Sequence, residues 1–485
     1  MTTPEARVLV VDVGTSGVRA TVLGEDGAVL HLEHEEVLPS SPAPGFVEFD
    51  AAEMADAALG VASRALSASG AVAAVGIANQ RASTVVWDRA SSEPVGPGIG
   101  WQDLRTAGMC LMLREQGLRL APNQSATKLA VLLDLADPER TRDLCFGTVD
   151  TWIAWVLSRG AVHATDHTNA GVTGLVTADG THFDEELCAA LRIPTSVLPE
   201  LVDSSGILGA ASALEGAPPI AALAGDQQAS LVGQGRLRPG LAKVTFGTGG
   251  MLDCCLGPTR PSFETRGAHG CFPVIAWSTG GTLTWGLEAV MLSAGTCVEW
   301  LRDDLGVISS AAETDALAAS VPDTAGVQFV PALLGLGTPV WDFGARGTFL
   351  GITRGATRAH LVRAVLDGIA QRGADLLEAA EADGGLTIAS LGLDGGMSRN
   401  PTFVQALADA TGRRIEVSPV TEATAMGAGF LAGVAAGVWP DLETAASRLS
   451  AELVVEPARR TDRDRWLEAR AKAERQVPEL SSLEF

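Results

Sequence analysis

Two short glycine-rich turns carry the residue types that bind phosphate. The first, Asp12-Val13-Gly14-Thr15-Ser16-Gly17, follows an apolar run and precedes Arg19. Its glycines let backbone N–H groups approach an anion, while its hydroxyls and Arg19 can donate to phosphoryl oxygens. Asp12 is a candidate Mg²⁺ ligand, since Mg²⁺ keeps several waters and binds through one or two carboxylates. A second turn of the same make-up spans residues 247–250 and includes Thr248. The pattern predicts phosphate binding, although either turn alone is also typical of an ordinary hairpin.

One carboxylate is placed where it could act as a general base. Asp226 lies in Gly225-Asp226-Gln227-Gln228, at the start of a Gly-rich, polar stretch that runs to residue 240. A carboxylate beside a Gly-flanked loop can take the proton of a substrate hydroxyl. Asp is equally common as the N-cap of a helix. The residues alone leave both interpretations open.

The motifs of several other enzyme classes are missing from the sequence. There is no GxxxxGK[ST], no GxGxxG that opens a helix after the first strand, no HExxH and no GxSxG. The sequence is therefore neither that of a P-loop protein nor that of a dinucleotide-binding one.

Composition and charge limit the partners. The chain has 485 residues, enough for two or three domains, and 35 basic against 58 acidic residues give a net charge of −23. Such a surface repels a phosphate backbone, so we expect neither nucleic-acid nor membrane partners. The seven cysteines form no CxxC and are expected to be buried thiols in a reducing compartment. Without a signal-peptide pattern or a long apolar run, the expected location is the cytoplasm.

Hydrophobic periodicity places these residues on an α/β framework. An apolar strand is predicted at residues 7–12, a helix at 51–69 and a strand at 71–77. A strand–turn–strand unit at 241–256 repeats the pattern of the first hairpin, and a helix at 401–411 is closed by Gly412. Two related α/β halves facing across a cleft would explain the repetition; coincidence between two Gly-rich hairpins is the alternative.

Ten collinear motifs between about residue 8 and residue 440 resemble the FGGY family of carbohydrate kinases, in the pattern of its glycerol kinases. They read GIANQRASTVVWD, GWQDLRT, FGTVDTWIAWVL, TDHTNA, GDQQASL, KVTFGTG, FVPALLGLGTPVWD, ARGTFLGITRG, LDGGMSRN and EATAMGAGFLAG. The resemblance implies an α/β fold of two ribonuclease-H-like (actin-like ATPase) domains flanking a catalytic cleft. Residues 1–235 would bind substrate and phosphate, and residues 236–485 would bind the nucleotide.

The resemblance also implies roles for individual residues, with ATP and Mg²⁺ as cofactors. Asp226 matches the catalytic base, and Asp12 the residue that holds Mg²⁺ through water. The cofactor-binding positions implied are Thr15, Ser16, Gly17, Arg19, Thr248, Gly249, Gly295, Glu299, Gly396 and Asn400. At Glu299 the glycerol kinases of the family commonly carry Gln.

The substrate pocket is where the sequence departs from the family pattern. The positions implied are Arg81, Ala82, Trp101, Asn123, Asp226, Gln227 and Met251. Ala82 stands where glycerol kinases carry Glu, Asn123 where they carry Tyr, and Met251 where they carry Phe. Each lost hydroxyl partner costs roughly 1 to 3 kcal/mol. We therefore expect ATP-dependent phosphorylation of a sugar or polyol other than glycerol.

Two alternatives remain at this stage. One is a glycerol kinase proper, and the other is a sugar-responsive binding protein without turnover. The expected partner in each case is a small molecule, and a homodimer is the candidate assembly.

Overall fold

The protein is described from a computed structural model that covers residues 6–419 and 423–483. Its first half contains β1 (Arg7–Val13), β2 (Gly17–Gly24), β3 (Val29–Glu36), β4 (Glu48–Phe49), β5 (Ala74–Asn79), β6 (Val85–Asp88), β7 (Gly98–Ile99), β8 (Leu144–Gly147), β9 (Ala164–Asp166), β10 (Glu200–Val202), β11 (Ser205–Ala210) and β12 (Pro219–Gly225). Its helices are α1 (Ala51–Ser69), α2 (Ala107–Glu115), α3 (Ser125–Ala136), α4 (Val149–Leu157), α5 (His167–Ala170), α6 (Glu185–Ala190) and α7 (Asp226–Gly233).

The second half has the same alternation of strands and helices. The strands are β13 (Leu241–Phe246), β14 (Gly250–Gly257), β15 (Phe272–Thr279), β16 (Thr282–Met291), β17 (Gln328–Val330), β18 (Thr348–Leu350), β19 (Ser390–Asp394), β20 (Arg414–Val417) and β21 (Leu453–Val455). The helices are α8 (Gly295–Glu299), α9 (Glu313–Ala319), α10 (Arg358–Gly384), α11 (Pro401–Thr411), α12 (Ala423–Ala435), α13 (Leu442–Ala446), α14 (Arg463–Ala473) and α15 (Pro478–Ser481). Short 3₁₀ segments occur at Thr195–Val197 and Gly396–Arg399, and a π-helical turn at Trp300–Asp304.

The two halves repeat one sheet topology. In the first, β3-β2-β1 is antiparallel and is extended by β5 and β12, both parallel to β1. In the second, β16-β14-β13 is antiparallel and is extended by β19 and β20, both parallel to β13. The resemblance between the two hairpins therefore reflects a structural repeat. The predicted division after residue 235 stays a prediction.

Helices α7 and α12 pack closely between the two half-sheets. A side chain at Gly427 would overlap the carbonyl oxygen of Ala229, and one at Gly233 would overlap that of Ala423. Only glycine lets the two backbones approach so closely. Helix α12 packs on β1, β5 and β12 of the first half, and α7 also contacts β14 and β15, so the two helices together join the half-sheets.

Local signals in the sequence identify several element ends. Helix α1 coincides with the predicted 51–69, because the Asp50 side chain accepts hydrogen bonds from the N–H groups of Ala52 and Glu53. Helix α11 ends at Gly412, whose φ of 63° is left-handed, as predicted. The strand expected at 71–77 begins later, at Ala74.

The cysteines lie in the hydrophobic core. All seven are free and buried, as expected from the sequence. In the part of the chain that the structure describes, no helix is both long enough and apolar enough to span a lipid bilayer.

Candidate active site

The first predicted phosphate turn connects two paired strands, β1 and β2. Strand β1 is apolar from Val8 to Val11 and then reaches Asp12, which lies opposite Arg19 across the hairpin, with Oδ2 4.0 Å from Nη1. The Gly14 N–H donates to the Gly17 carbonyl at 2.9 Å and closes the turn. The Thr15 and Ser16 hydroxyls therefore lie at the tip of the hairpin, beside the Asp12–Arg19 pair.

Neighbouring segments hold this turn in place. The Gln80 N–H donates to the Val13 carbonyl, and its side-chain Nε2 donates to that of Gly14 at 3.2 Å. Trp101 Nε1 donates to Thr15 Oγ1 at 3.3 Å. Trp101, predicted to contact substrate, thus lies directly against a residue predicted to contact phosphate.

The second turn connects β13 and β14 and rests on the start of α8. The Gly247 N–H donates to the Gly249 carbonyl at 3.0 Å, and the Gly295 N–H donates to the Gly247 carbonyl at 2.8 Å. A side chain at Gly295 or Gly249 would meet backbone oxygens closer than 3 Å. Both positions require glycine for packing. Thr248 at the tip is exposed, as is Glu299 at the end of α8.

Two further cofactor positions that the resemblance implies, Gly396 and Asn400, lie beyond β19. Gly396 begins the short 3₁₀ segment and is exposed. Asn400 is the N-cap of α11: its Oδ1 accepts from the Phe403 N–H at 3.0 Å, and its Nδ2 donates to Thr314 Oγ1 at 2.9 Å. Its side chain is used for capping, and contact with a nucleotide stays a prediction.

Asp226 is the first residue of α7, directly after the buried strand β12. The N-cap of this helix is Gly225, so the interpretation of Asp226 as an N-cap is wrong. Its Oδ1 accepts from the Gln227 N–H at 2.8 Å and lies 3.4 Å from Arg81 Nε. Arg81 follows β5, which pairs with β12 in parallel, so the same sheet edge presents both side chains. About a third of the Asp226 side chain is exposed, which leaves it accessible to a ligand.

Acidic groups surround the Arg81 guanidinium. Its Nη2 donates to Glu288 Oε2 at 2.6 Å. Burial works against a charge here, but Glu288, Asp226 and Asp253 outweigh it and raise the pKa of Arg81. Arg81 therefore keeps its charge within the protein.

The three departures from the family pattern occupy different environments. Ala82 is buried and left-handed, with a φ of 59°, and its carbonyl accepts from Ser125 Oγ at 3.0 Å. Asn123 is exposed and its carbonyl accepts from Lys128 Nζ at 3.1 Å. Met251 is half-buried on β14, opposite Thr245.

Three charged residues of the site, Lys243, Asp253 and Glu288, were not singled out from the sequence. A pattern in the sequence could have identified Lys243 and Asp253. They stand in largely apolar strands, five residues before and five residues after Thr248, so a hairpin centred there pairs them. Glu288 carries no such local signal, because its partner Arg81 is 207 positions away.

The donor set at the first turn fits Mg²⁺. Asp12 supplies one largely buried carboxylate at a strand end, beside hydroxyls and N–H groups suited to phosphate. Mg²⁺ is commonly held by one or two carboxylates together with substrate phosphates and water. Among residues 6–419 and 423–483, no group of three His, Cys, Asp or Glu side chains forms a cation cage.

The fold and sequence are similar to those of known proteins. Residues 7–233 match the N-terminal domain, and residues 242–436 the C-terminal domain, of the FGGY family of carbohydrate kinases. The chain is 43% identical to a glycerol kinase of Dechloromonas aromatica over 94% of both chains. It is 40% identical to glycerol kinase 2 of Thermotoga maritima, over 95% of this chain and 97% of that one.

Solved structures agree on the architecture. The crystal structure of a Plasmodium falciparum glycerol kinase with ADP superimposes with a TM-score of 0.88, at 26% identity and 99% coverage of both chains. A xylulose kinase of Brucella ovis gives a TM-score of 0.85, also at 26% identity, over 99% of this chain and 100% of that one.

Proposed function

Because the chain belongs to the FGGY family of carbohydrate kinases and is an ATP-dependent kinase, we propose that it transfers the γ-phosphoryl group of ATP to glycerol. The observation that carries the proposal is the pairing of Asp226 with Arg81 at one edge of the sheet, with the Asp226 carboxylate still accessible. The names of the relatives, which match over more than nine-tenths of the chain, support glycerol as the acceptor.

In this proposal Asp226 acts as the general base. Its carboxylate accepts the proton of the attacking hydroxyl as that oxygen bonds to phosphorus, and ADP leaves with the electron pair of the bond that breaks. Arg81 fixes one oxygen of the substrate and orients the Asp226 carboxylate through the 3.4 Å contact.

The two turns bind the nucleotide phosphates from opposite halves. In the first half, the phosphates are bound by Gly17 and the hydroxyls of Thr15 and Ser16, with Arg19 as the charged donor. In the second half they are bound by Thr248 and Gly249. Asp12 would hold Mg²⁺, which, when bound, neutralises phosphate charge. Phosphoryl transfer asks the protein mainly for such positioning and neutralisation.

The remaining cofactor positions belong to the nucleoside end. Gly295, Glu299, Gly396 and Asn400 are proposed to contact the nucleotide beyond its phosphates. Local donors of this kind would hold an anionic nucleotide despite repulsion by the acidic protein surface.

A larger polyol or a ketose is the second candidate substrate. The relatives lend no support to a substrate other than glycerol, so this candidate rests on Ala82, Asn123 and Met251 alone. The observation in its favour is that buried Ala82 presents no carboxylate next to Arg81. The pocket would then be roomier than one with Glu, Tyr and Phe in these positions.

The test is ADP release with glycerol, four- to six-carbon polyols, pentuloses and hexuloses as acceptors. We expect glycerol to give the highest kcat/KM. A longer polyol or ketose in first place would replace glycerol as the substrate and leave the kinase assignment intact. Binding of a sugar without ADP release from any acceptor would favour the sugar-responsive binding protein.

A further inference from the structure

Three buried charges form a continuous row across the sheet of the second half. Lys243 on β13 lies opposite Asp253 on β14, and Asp253 lies opposite Glu288 on β16. Lys243 Nζ is 2.8 Å from Asp253 Oδ2, and neither side chain is more than 2% exposed. We call these three residues the charged row. Apolar residues of similar size would often stabilise such a site as well or better.

The charged row contacts the first half of the chain through two side chains. Glu288 Oε2 accepts from Arg81 Nη2 at 2.6 Å, and Lys243 Nζ donates to Gln227 Oε1 at 2.5 Å. Arg81 and Gln227 are the two residues beside Asp226 that are expected to contact substrate. The buried charges of one half therefore hold the substrate-binding side chains of the other.

The contact with Lys243 decides which way the Gln227 amide faces. An ammonium group can only donate, so the Gln227 atom that faces it must be the oxygen. Nε2 therefore points away from Lys243, and it has no hydrogen-bond partner among the described residues. Gln227 is left with a free N–H donor on its half-exposed side.

Glu288 likewise fixes the orientation of the Arg81 guanidinium and leaves one of its donors unbound. Nε of Arg81 faces Asp226, and Nη2 is taken by Glu288. Nη1 is buried and makes no hydrogen bond within the described part of the chain. A buried donor without a partner is costly unless a ligand completes it.

We propose that Lys243 and Glu288 are positioning residues that fix Gln227 and Arg81 so that each presents an N–H donor to an oxygen of the bound substrate. Asp253, which lies between these two residues in the sheet, neutralises the buried charge of Lys243. The site then suits a substrate with two oxygens, hydroxyl or carbonyl, near the hydroxyl that Asp226 deprotonates. This inference rests on the proposed function, since it takes Arg81 and Gln227 as substrate contacts.

The main test replaces Lys243→Met together with Asp253→Leu, which leaves no buried charge unpaired. Initial rates are measured with the best acceptor of the panel. We expect the KM for the acceptor to rise about 3- to 10-fold, the usual worth of one hydrogen bond, with a smaller fall in kcat and an ATP KM within twofold. In a Gln227→Ala background the same pair should change the acceptor KM less than twofold, because the effect passes through Gln227. An equal rise in both backgrounds overturns the proposal.

A second variant covers the case in which the first does not fold. Glu288→Gln keeps the size of the side chain and removes its charge. We expect a 3- to 10-fold rise in acceptor KM that disappears in an Arg81→Met background. Unchanged acceptor KM for Glu288→Gln overturns the proposal.

The matched control is Arg236→Met with Glu416→Leu, another largely buried ion pair of the second half, at 2.8 Å. It should leave both KM values unchanged; a shift in acceptor KM like that of the main variant would show a general effect of lost charge pairs and overturn the proposal. If the unaltered protein phosphorylates no acceptor at all, the proposed function fails. If it does and the variants match it, the positioning role alone fails.

Discussion

The Asp226 carboxylate lies 3.4 Å from the Arg81 guanidinium, Oδ1 facing Nε, although the two residues follow different strands of the sheet. The pair gives Asp226 a fixed orientation while a third of its side chain stays exposed. A base held in this way can accept a proton from a bound hydroxyl without rearrangement.

Asp226→Asn should therefore lower kcat by about 10² to 10⁴, the usual contribution of a positioned general base. The amide keeps the shape but cannot take the proton. Steady-state kinetics with the best acceptor measures the effect, and calorimetric titration with ADP should show nearly unchanged nucleotide binding. Turnover within a few-fold of the unaltered protein would remove Asp226 from the catalytic role.

Thr168→Val should weaken both stability and catalysis. The buried Thr168 hydroxyl accepts from the N–H of Gly225, the residue before Asp226, at 2.8 Å. Losing it leaves that N–H unsatisfied, so the free energy of unfolding should fall by about 1 to 3 kcal/mol. Urea denaturation measures the loss, and kcat should fall with it, because the start of α7 is no longer held.

Thr173→Val provides the control for that variant. Its hydroxyl is equally buried and donates to the Ala170 carbonyl at 2.6 Å, whereas the Thr168 hydroxyl binds the residue before Asp226. It should cost similar stability with kcat unchanged. Equal kcat for both variants would mean that Thr168 does not position Asp226.

Ala82→Glu with Asn123→Tyr should shift acceptor preference towards glycerol. The added carboxylate supplies an acceptor beside Arg81, and the phenol narrows the pocket. We expect the kcat/KM ratio of glycerol to the best longer acceptor to rise roughly 10- to 100-fold, as for one or two pocket contacts. Competition assays measure the ratio. Ala90→Glu, at an exposed alanine, adds the same charge away from the pocket and should leave the ratio unchanged.

Lys128→Met should change how stability depends on pH. Burial lowers the pKa of Lys128 from 10.5 to about 7, against smaller opposing effects of Asp103 and Cys110. Between those values the unfolded chain binds a proton that the folded protein does not, so Lys128 makes stability rise with pH above 7. Below pH 7 both states hold the proton, and the buried charge destabilises the fold.

The variant lacks this dependence. Relative to the unaltered protein, its free energy of unfolding should fall by about 2 kcal/mol from pH 7 to pH 8.5, at roughly 1.4 kcal/mol per pH unit. Urea denaturation at several pH values checks the difference. A constant difference across that range would mean that Lys128 titrates normally.

Features that depend on near neighbours in the chain could be predicted from the sequence. The Gly-Thr turns, helix α1 with its Asp50 cap and the end of α11 at Gly412 all follow from hydrogen bonds and backbone preferences within a few residues. The repetition of the hairpins was predicted in the same way, since strand alternation and turn residues are local.

Only the tertiary structure decided how the site is held. It made Gly225 rather than Asp226 the N-cap of α7, and it placed Glu288 against Arg81 across 207 positions. It also turned the Gln227 amide by placing a buried Lys243 beside it. These contacts depend on how two half-sheets and helices α7 and α12 pack, and no short stretch of sequence encodes a distance between residues of different halves. The sequence by itself therefore determined the turns and the chemistry they offer, whereas packing between the halves determined which atoms face the substrate.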